Sequence, residues 1–204
     1  MGIKGAPLTQ IISNTVPMKI ESLAIPDVKL LTPKKHEDPR GFFVESWNRR
    51  LLQEHGIDIE FVQDNHSLSV PAGTLRGMHF QAPPFAQAKL VRCTRGSILD
   101  VAVDIRVGSA TFGQAVTARL SAKNMQQMLV PEGFAHGFCT LEDDTEVQYK
   151  VNAYYSAECD GGLAWDDPAV GIEWPVTAET VLLSEKDQHL PKLAELDNPF
   201  RYQG

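Results

Sequence analysis

The sequence predicts a mainly β protein, a sandwich or barrel of short strands with a few short helices. The clearest observation is residues 98–105 (ILDVAVDI), where apolar side chains alternate with others as on a half-buried strand. One face would carry Leu99, Val101, Val103 and Ile105, and the other Asp100 and Asp104. Before it come a turn at residues 95–97 and the strand-like KLVRCT; after it come FGQAVTARLSA, QMLVP and residues 146–154. Short strands at close spacing are typical of sandwiches and barrels.

Helix signals are few. Residues 46–56 (SWNRRLLQEHG) begin with Ser46, contain Leu51 and Leu52, and stop at Gly56, a pattern that predicts one short helix. A second short helix is predicted at SEKDQHL, where Ser184 and the acidic residue three positions later form a capping-box pattern.

The 204 residues suit a single domain, and neither an internal repeat nor a Gly/Ser-rich linker divides them. We expect an irregular N-terminal leader at residues 1–18 and one domain at residues 19–204. Within that domain we expect a β core at residues 19–175 and a C-terminal tail at 176–204 that packs on it.

Composition narrows the function classes. A net charge of −7 argues against a non-specific nucleic-acid binder. The three cysteines (Cys93, Cys139 and Cys159) include no CxxC pair, so a disulfide framework is not expected and a reducing compartment is. No apolar run reaches the length of a membrane span, and residues 1–20 lack the apolar stretch of a signal peptide. The sequence therefore predicts a cytoplasmic protein with neither a nucleic-acid nor a membrane partner.

Eight short motifs identify a family by their order and spacing. The chain resembles the dTDP-4-dehydrorhamnose 3,5-epimerase family over about residues 24–190, and the matching strings are DPRGFFVESWN (38–48), FVQDNHS (61–67), LRGMHFQ (75–81), AKLVRC (88–93), PEGFAHGF (131–138), VQYKVNAYY (147–155), WDDPAVGIEWP (165–175) and LSEKD (183–187). Each string alone is weak, whereas eight in order are specific.

The resemblance implies a fold, an assembly and a reaction. The fold is a double-stranded β-helix, the cupin-like jelly roll, and the assembly is a homodimer. The reaction is epimerisation at C3 and C5 of dTDP-4-dehydro-6-deoxy-D-glucose to dTDP-4-dehydro-L-rhamnose, in dTDP-L-rhamnose biosynthesis, without a metal or redox cofactor. Hydrogens on C3 and C5 are acidic because both carbons adjoin the C4 carbonyl. Inversion needs a base on one face, a positive group at the enolate oxygen and an acid on the other face.

The resemblance implies that His79, in LRGMHFQ, is the base and that Asp187, in LSEKD, holds its imidazole, as a carboxylate does in other His dyads. Both residues also have plain structural explanations. A lone histidine in a strand is more often structural, and the spacing from Ser184 makes Asp187 a helix cap by itself.

The matching acid is Tyr149, which would share a strand face with two valines and point into the barrel. A phenol can donate a proton if a nearby cation lowers its pKa, and Lys89 is the expected cation, also placed to stabilise the enolate. Core packing for Tyr149 and a solvent-reaching ammonium for Lys89 are the structural alternatives.

Arg40 and Arg76 are expected to hold the diphosphate, since guanidinium groups fit phosphate oxygens. On a regular strand Arg76 and His79 would face opposite sides, a conflict that a bulge at Gly77 would remove. Tyr155 matches the aromatic that stacks on thymine, and Asp160 stands where family members often carry glutamate. The remaining substrate-binding residues implied by the resemblance are Glu45, Gln63, Asp64, Asn65, His136 and Lys186.

Three alternatives remain open. A metal-dependent cupin enzyme would need a His-x-His pair, but Gln81 stands where the second histidine would be. A non-catalytic nucleotide-sugar binding module has no need of the base, the acid and the buried cation together. An epimerase acting only at C3 or only at C5 of a related dTDP-4-keto-deoxysugar would carry the same proton-transfer residues.

Overall fold

A computed structural model of the chain describes residues 17–203, and its regular structure is mostly antiparallel β. One sheet contains, in spatial order, β1 (Met18–Ser22), β2 (Lys29–Pro33), β10 (Gln127–Val130), β7 (Lys89–Arg95), β12 (Thr145–Val151) and β5 (Gln63–Ser69). The other contains β13 (Asp160–Gly162), β6 (Leu75–Gln81), β11 (Phe134–Thr140), β8 (Ser97–Asp104) and β9 (Ala115–Ser121). A separate hairpin consists of β3 (Lys35–Asp38) and β4 (Gly41–Val44). The predicted sandwich or barrel is confirmed.

The two sheets face each other across a shared core. Val91 and Val147 of the six-stranded sheet pack in one apolar cluster with Ile98, Ala102 and Phe134 of the five-stranded sheet. The alternation predicted for β8 is confirmed, and its polar face is the interior one. The two aspartates of β8 share a face with Ile98 and Ala102, and both are fully buried.

The outer faces are covered by other parts of the chain. Val101 and Val103 point outward from β8 and are buried under Leu163, Trp174 and Phe200. From the C-terminal tail, Leu193, Leu196 and Phe200 pack in this cluster, and the last strand ends at Gly162, well before residue 175. On the opposite side the outer face of the six-stranded sheet is buried by helix α1 (Arg49–Glu54).

Helix α1 begins later than the sequence predicts, because Asn48 and not Ser46 is its N-cap. The Asn48 side chain accepts a hydrogen bond from the Leu51 backbone N at 3.3 Å. Residues 1–16 of the predicted leader lie outside the described residues, but Met18, also assigned to the leader, opens β1 and is buried. No helix within residues 17–203 is long and apolar enough to cross a membrane.

Candidate active site

A cavity of about 460 Å³ lies between the two sheets. Strands β5, β7 and β12 supply one wall, β6 and β11 supply the other, and residues 182–187 of the C-terminal tail form part of the lining. The lining side chains are Ser67, Thr74, Leu75, Arg76, His79, Lys89, His136, Phe138, Tyr149, Leu182, Leu183, Ser184 and Asp187. All four predicted catalytic residues are among them.

His79 and Asp187 form a hydrogen-bonded pair. The His79 Nε2 lies 2.6 Å from Oδ1 of Asp187, which is buried. Because a carboxylate only accepts hydrogen bonds, Nε2 carries the proton and Nδ1 is left as the basic nitrogen of the neutral ring. Burial raises the pKa of Asp187. The hydrogen bond and charge of His79, together with the Gly77 N–H, lower the pKa by more than burial raises it, so the net pKa lies below its usual value. The pair can hold a proton on a histidine that faces the cavity.

Ser184 forms a capping hydrogen bond, the interaction that the sequence offered as the structural alternative to the His79–Asp187 pair. Its Oγ accepts a hydrogen bond from the Asp187 backbone N at 3.2 Å, at the start of a 3₁₀ helix, Asp187–His189. The cap thus uses the Asp187 backbone and leaves the carboxylate free for His79. The backbone N–H of Asp187 is bound to Ser184, and its carboxylate is bound to His79.

A bulge in β6 resolves the predicted conflict between Arg76 and His79. Opposite β11, His79 pairs with His136 and Arg76 pairs with Phe138, so three steps along β6 match two along β11. Gly77 lies in the bulge with a φ of +133°, and a Cβ there would collide with the Gly137 backbone. The extra residue lets both side chains line the same cavity.

Lys89 is buried, so its ammonium group does not extend into solvent as the structural alternative required. Its Nζ donates a hydrogen bond to the His79 carbonyl oxygen at 3.1 Å, beside the dyad. Burial lowers the Lys89 pKa to about 8, although the negative charges of Asp160 and Asp100 act in the opposite direction. At neutral pH this leaves an ammonium group close to the histidine that would remove the proton.

Tyr149 lines the cavity and packs partly against the apolar core, as its strand face predicts. Burial raises its pKa, and the positive charge of Arg76 offsets only part of that rise. Two expectations are corrected here, because the pKa is not lowered overall and the cation that acts on the phenol is Arg76, not Lys89. A buried phenol that keeps its proton at neutral pH is still a suitable donor to a carbanion, which is a much stronger base.

A second buried His–Asp pair lies in the same wall. His136 Nε2 is 2.8 Å from Oδ1 of Asp100, and both side chains are buried. Burial lowers the His136 pKa, and burial raises the Asp100 pKa. Sequence reasoning missed Asp100 as a site residue, although its place on the polar face of β8 was a usable signal.

A neighbouring cavity of about 300 Å³ shares His79, Lys89 and Tyr149 with the first. Lys186 forms an ion pair with Asp160, whose carboxylate also accepts a hydrogen bond from the Tyr155 hydroxyl at 3.3 Å. Gln63 accepts from the Tyr155 backbone N and donates to Asn65. The structure therefore brings together five of the predicted substrate-binding residues, namely Gln63, Asn65, Tyr155, Asp160 and Lys186.

Three other predicted binding residues lie away from both cavities. Arg40 projects from the tip of the β3–β4 hairpin, is 90% exposed, and pairs with Asp38. Glu45 accepts a hydrogen bond from Asn48, and Asp64 faces the opposite side of β5 from Gln63, where it pairs with Lys150. Within one chain, these side chains do not meet the dyad.

The match to known proteins is extensive. The family model described as dTDP-4-dehydrorhamnose 3,5-epimerase matches residues 22–195. The chain belongs to this family. A relative named dTDP-4-dehydrorhamnose 3,5-epimerase in Sinorhizobium fredii is 55% identical over 91% of this chain and 94% of its own length.

Solved structures of this epimerase family agree with the fold. The chain superimposes with a TM-score of 0.88 on the dTDP-6-deoxy-D-glucose-3,5-epimerase of Legionella pneumophila in complex with dTDP-4-keto-L-rhamnose, at 43% identity over 92% of this chain and all of that one. It superimposes with a TM-score of 0.79 on a 3'-monoepimerase of Streptomyces bikiniensis in complex with dTDP-quinovose, at 34% identity over 85% and 87% of the two chains. The predicted cupin-like double-stranded β-helix is confirmed.

Gln81, which occupies the position of a cupin metal ligand, has a different part in this family member. It is buried, and its amide nitrogen donates to the carbonyl oxygens of Phe85 and Tyr154, so it ties two loops to β6. Among residues 17–203, no group of three or more His, Cys, Asp and Glu side chains is arranged to hold a metal ion.

Proposed function

We propose that this chain epimerises both C3 and C5 of dTDP-4-dehydro-6-deoxy-D-glucose, giving dTDP-4-dehydro-L-rhamnose for dTDP-L-rhamnose biosynthesis. The observation that supports this reaction most directly is that the His79–Asp187 pair, Lys89 and Tyr149 line one cavity. They match the base, the cation and the acid that inversion next to a ketone requires. The family and the names of its members support the same reaction.

Each inversion moves two protons in this proposal. Neutral His79 takes the proton from the carbon through Nδ1, and Asp187 stabilises the imidazolium that forms. The electron pair moves to the C4 oxygen, where the Lys89 ammonium stabilises the enolate. Tyr149 then gives its proton to the opposite face of the same carbon. The site is reset when His79 loses a proton and Tyr149 regains one, and no metal or redox cofactor takes part.

We place the nucleotide in the neighbouring cavity and the diphosphate beside Arg76. Arg76 is fixed by hydrogen bonds from Nε to the Ser69 hydroxyl and from an Nη to the Leu68 carbonyl oxygen, which leaves other N–H groups to donate. Tyr155, on the rim, offers a ring on which thymine can stack. His136 would contact the sugar, and Asp160 and Lys186 would close the nucleotide end.

We further propose a homodimer in which the hairpin of one protomer reaches the cavity of the other. The hairpin carries Phe42 and Phe43, which are 57% and 72% exposed, next to the exposed Arg40. Adjacent exposed aromatic side chains are typical of interaction surfaces. In the dimer Arg40 and Glu45 would complete the diphosphate and nucleotide contacts of the partner.

A mixing experiment tests this shared site. Arg40→Ala and His79→Ala proteins, each strongly impaired, are mixed and allowed to exchange subunits. If Arg40 acts across the interface, a mixed dimer carries both changes in one site and none in the other, so activity returns. If Arg40 acts within its own chain, every site keeps one lesion and activity stays low. A clean monomer by light scattering would contradict the dimer itself.

A second candidate is an epimerase that inverts one carbon only, because a 3'-monoepimerase shares this fold at 34% identity. The reaction run in heavy water and followed by NMR separates the two. Inversion at both carbons, with deuterium at C3 and C5 of the product, supports the main proposal. Deuterium and inversion confined to C3 would replace it with the second candidate.

We also propose that residues 19–204 act as a single domain in the cytoplasm, with the nucleotide sugar as substrate and without a nucleic-acid or membrane partner. The single family match, from residue 22 to residue 195, supports the one-domain organisation.

A further inference from the structure

Both ends of the Gln81 side-chain amide are hydrogen bonded in the interior of the protein. Its nitrogen donates to the carbonyl oxygens of Phe85 at 2.7 Å and Tyr154 at 3.2 Å. Its oxygen accepts a hydrogen bond from the Ser156 backbone N at 2.8 Å. Because a side-chain amide has two N–H donors and one carbonyl acceptor, this arrangement uses both donors and the oxygen, so the orientation of the buried group is fixed.

The contacts at Tyr154 and Ser156 lie on either side of Tyr155. Tyr155 belongs to the connection between β12 and β13, which forms neither strand nor helix, so no strand pairing positions its backbone. Its backbone N donates to the Gln63 side-chain oxygen at 3.3 Å, whereas the residue as a whole is 63% exposed. Side-chain amides from β5 and β6 therefore hold the backbone around a residue whose ring stays open to a ligand.

Two further amides join the same connection to the segment that follows β6. Gln87 Nε2 donates to the Ala153 carbonyl oxygen at 2.8 Å, and Asn152 Oδ1 accepts a hydrogen bond from the Ala88 backbone N at 2.7 Å. The start of the connection is thus anchored independently of Gln81. Loss of the Gln81 amide should loosen the part of the connection that carries the exposed aromatic side chain without releasing the whole connection.

We propose that Gln81 is a positioning residue for nucleotide binding, because its amide fixes the backbone on both sides of Tyr155 and so holds the tyrosine ring ready for the base. A ring that is fixed before the ligand arrives loses less conformational entropy on binding. Gln81 and Tyr155 line the same cavity, the one in which we place the nucleotide. This inference rests on the proposed function, because it requires thymine to stack on Tyr155.

Binding of dTDP, measured by isothermal titration calorimetry, tests this role without turnover. Stacking of a base on an aromatic side chain is worth about 5- to 150-fold in affinity, so Tyr155→Ala should raise the Kd of dTDP by a factor in that range. Gln81→Leu keeps the ring but frees its backbone, and should raise the Kd by roughly 3- to 10-fold. In steady-state kinetics Gln81→Leu should raise KM more than it lowers kcat, because the base is a part of the substrate that does not react.

A double-mutant cycle separates positioning of the ring from a general loss of structure. If Gln81 acts through the Tyr155 ring, adding Gln81→Leu to Tyr155→Ala should change the Kd by less than about twofold, because the ring that it positions is gone. Equal penalties in both backgrounds would mean that Gln81 contacts the nucleotide itself or merely supports the fold, and would overturn the proposal. Gln81→Glu keeps the acceptor for the Ser156 N–H and loses both donors. It serves as a second, milder variant and should show the same loss of effect without the ring.

Asn198→Leu is the matched control. The Asn198 amide also donates to a backbone carbonyl oxygen, that of Ile105, and accepts a hydrogen bond from a backbone N, that of Phe200. It lies outside both cavities. Its variant should lose stability and bind dTDP as the wild type does, and a weakened affinity in this control would show that any lost buried amide loosens the site, which overturns the proposal.

The same measurements distinguish failure of this inference from failure of the proposed function. If Tyr155→Ala binds dTDP as tightly as the wild type, the proposed place of the nucleotide is wrong and the role of Gln81 falls with it. If Tyr155→Ala binds dTDP weakly and Gln81→Leu binds it normally, the place of the nucleotide stands and only the role of Gln81 is refuted.

Discussion

Replacing Tyr149 with phenylalanine removes one hydroxyl from the wall of the cavity and leaves the ring in place. The ring packs against the apolar cluster that contains Val91 and Val147, so most of its buried surface is kept. Burial raises the Tyr149 pKa, and therefore the wild-type phenol holds its proton at neutral pH. The variant loses that proton and little else.

The size of the effect follows from the step that is lost. General acids contribute about 10²- to 10⁴-fold in rate, which corresponds to about 3–5 kcal/mol at 1.36 kcal/mol per decade. The change in folding free energy should be about 1 kcal/mol at most, since one hydroxyl is deleted from a preserved ring. Inversion should fall far more than stability.

Heavy water separates proton removal from inversion. His79 can still remove a proton from C3 or C5 and return a deuteron to the same face, so exchange into the substrate should persist in Tyr149→Phe while inversion falls. Tyr154→Phe, at a 64% exposed position outside both cavities, serves as the matched control and should behave as wild type. If Tyr149→Phe keeps the wild-type ratio of exchange to inversion, Tyr149 is not the acid.

Four further outcomes are expected. Asp187→Asn removes the charged partner of His79, so kcat/KM should fall by about 10- to 150-fold, the equivalent of about 1.5–3 kcal/mol. Steady-state kinetics would show this fall, and an unchanged kcat would contradict the dyad. Arg40→Ala should raise KM more than it lowers kcat, because it touches a part of the substrate that does not react; the opposite pattern would assign Arg40 to the chemistry. Prolonged treatment with a strong chelator should leave turnover unchanged, and a loss restored by one divalent metal would refute the metal-free mechanism. Asp104→Asn should be less stable than wild type in urea at pH 7. The pKa of Asp104 in the folded protein lies below its ordinary value of 3.8, so the stabilisation is lost on protonation and the difference between the two proteins should shrink as the pH falls below 3.8. A stability difference that is independent of pH would exclude this carboxylate as the cause.

Much of the site was accessible from sequence because its chemistry is carried by short local motifs. LRGMHFQ, AKLVRC, VQYKVN and LSEKD each place one reactive side chain, and the structure brings those four side chains to one cavity. The fold class followed from short alternating strands with few helix signals. Their periodicity reflects steric rules that operate over a few residues.

Asp187 shows what local patterns cannot decide. It lies 108 positions from His79, and its spacing from Ser184 already satisfied a capping pattern. Only the path of the tail across the mouth of the barrel shows that the cap uses the backbone while the carboxylate serves the histidine. The bulge at Gly77 is similar, since a glycine permits a bulge, but the register with β11 places it.

Strand β8 shows most clearly which features the sequence determines and which depend on the tertiary structure. Its sequence determined that Val101 and Val103 share one face and that Asp100 lies on the other. Tertiary structure alone decided that the aspartate face is the interior, because the C-terminal tail covers the valines on the outside. Alternation records that two faces differ, whereas burial depends on what packs against each face, and those partners come from distant parts of the chain.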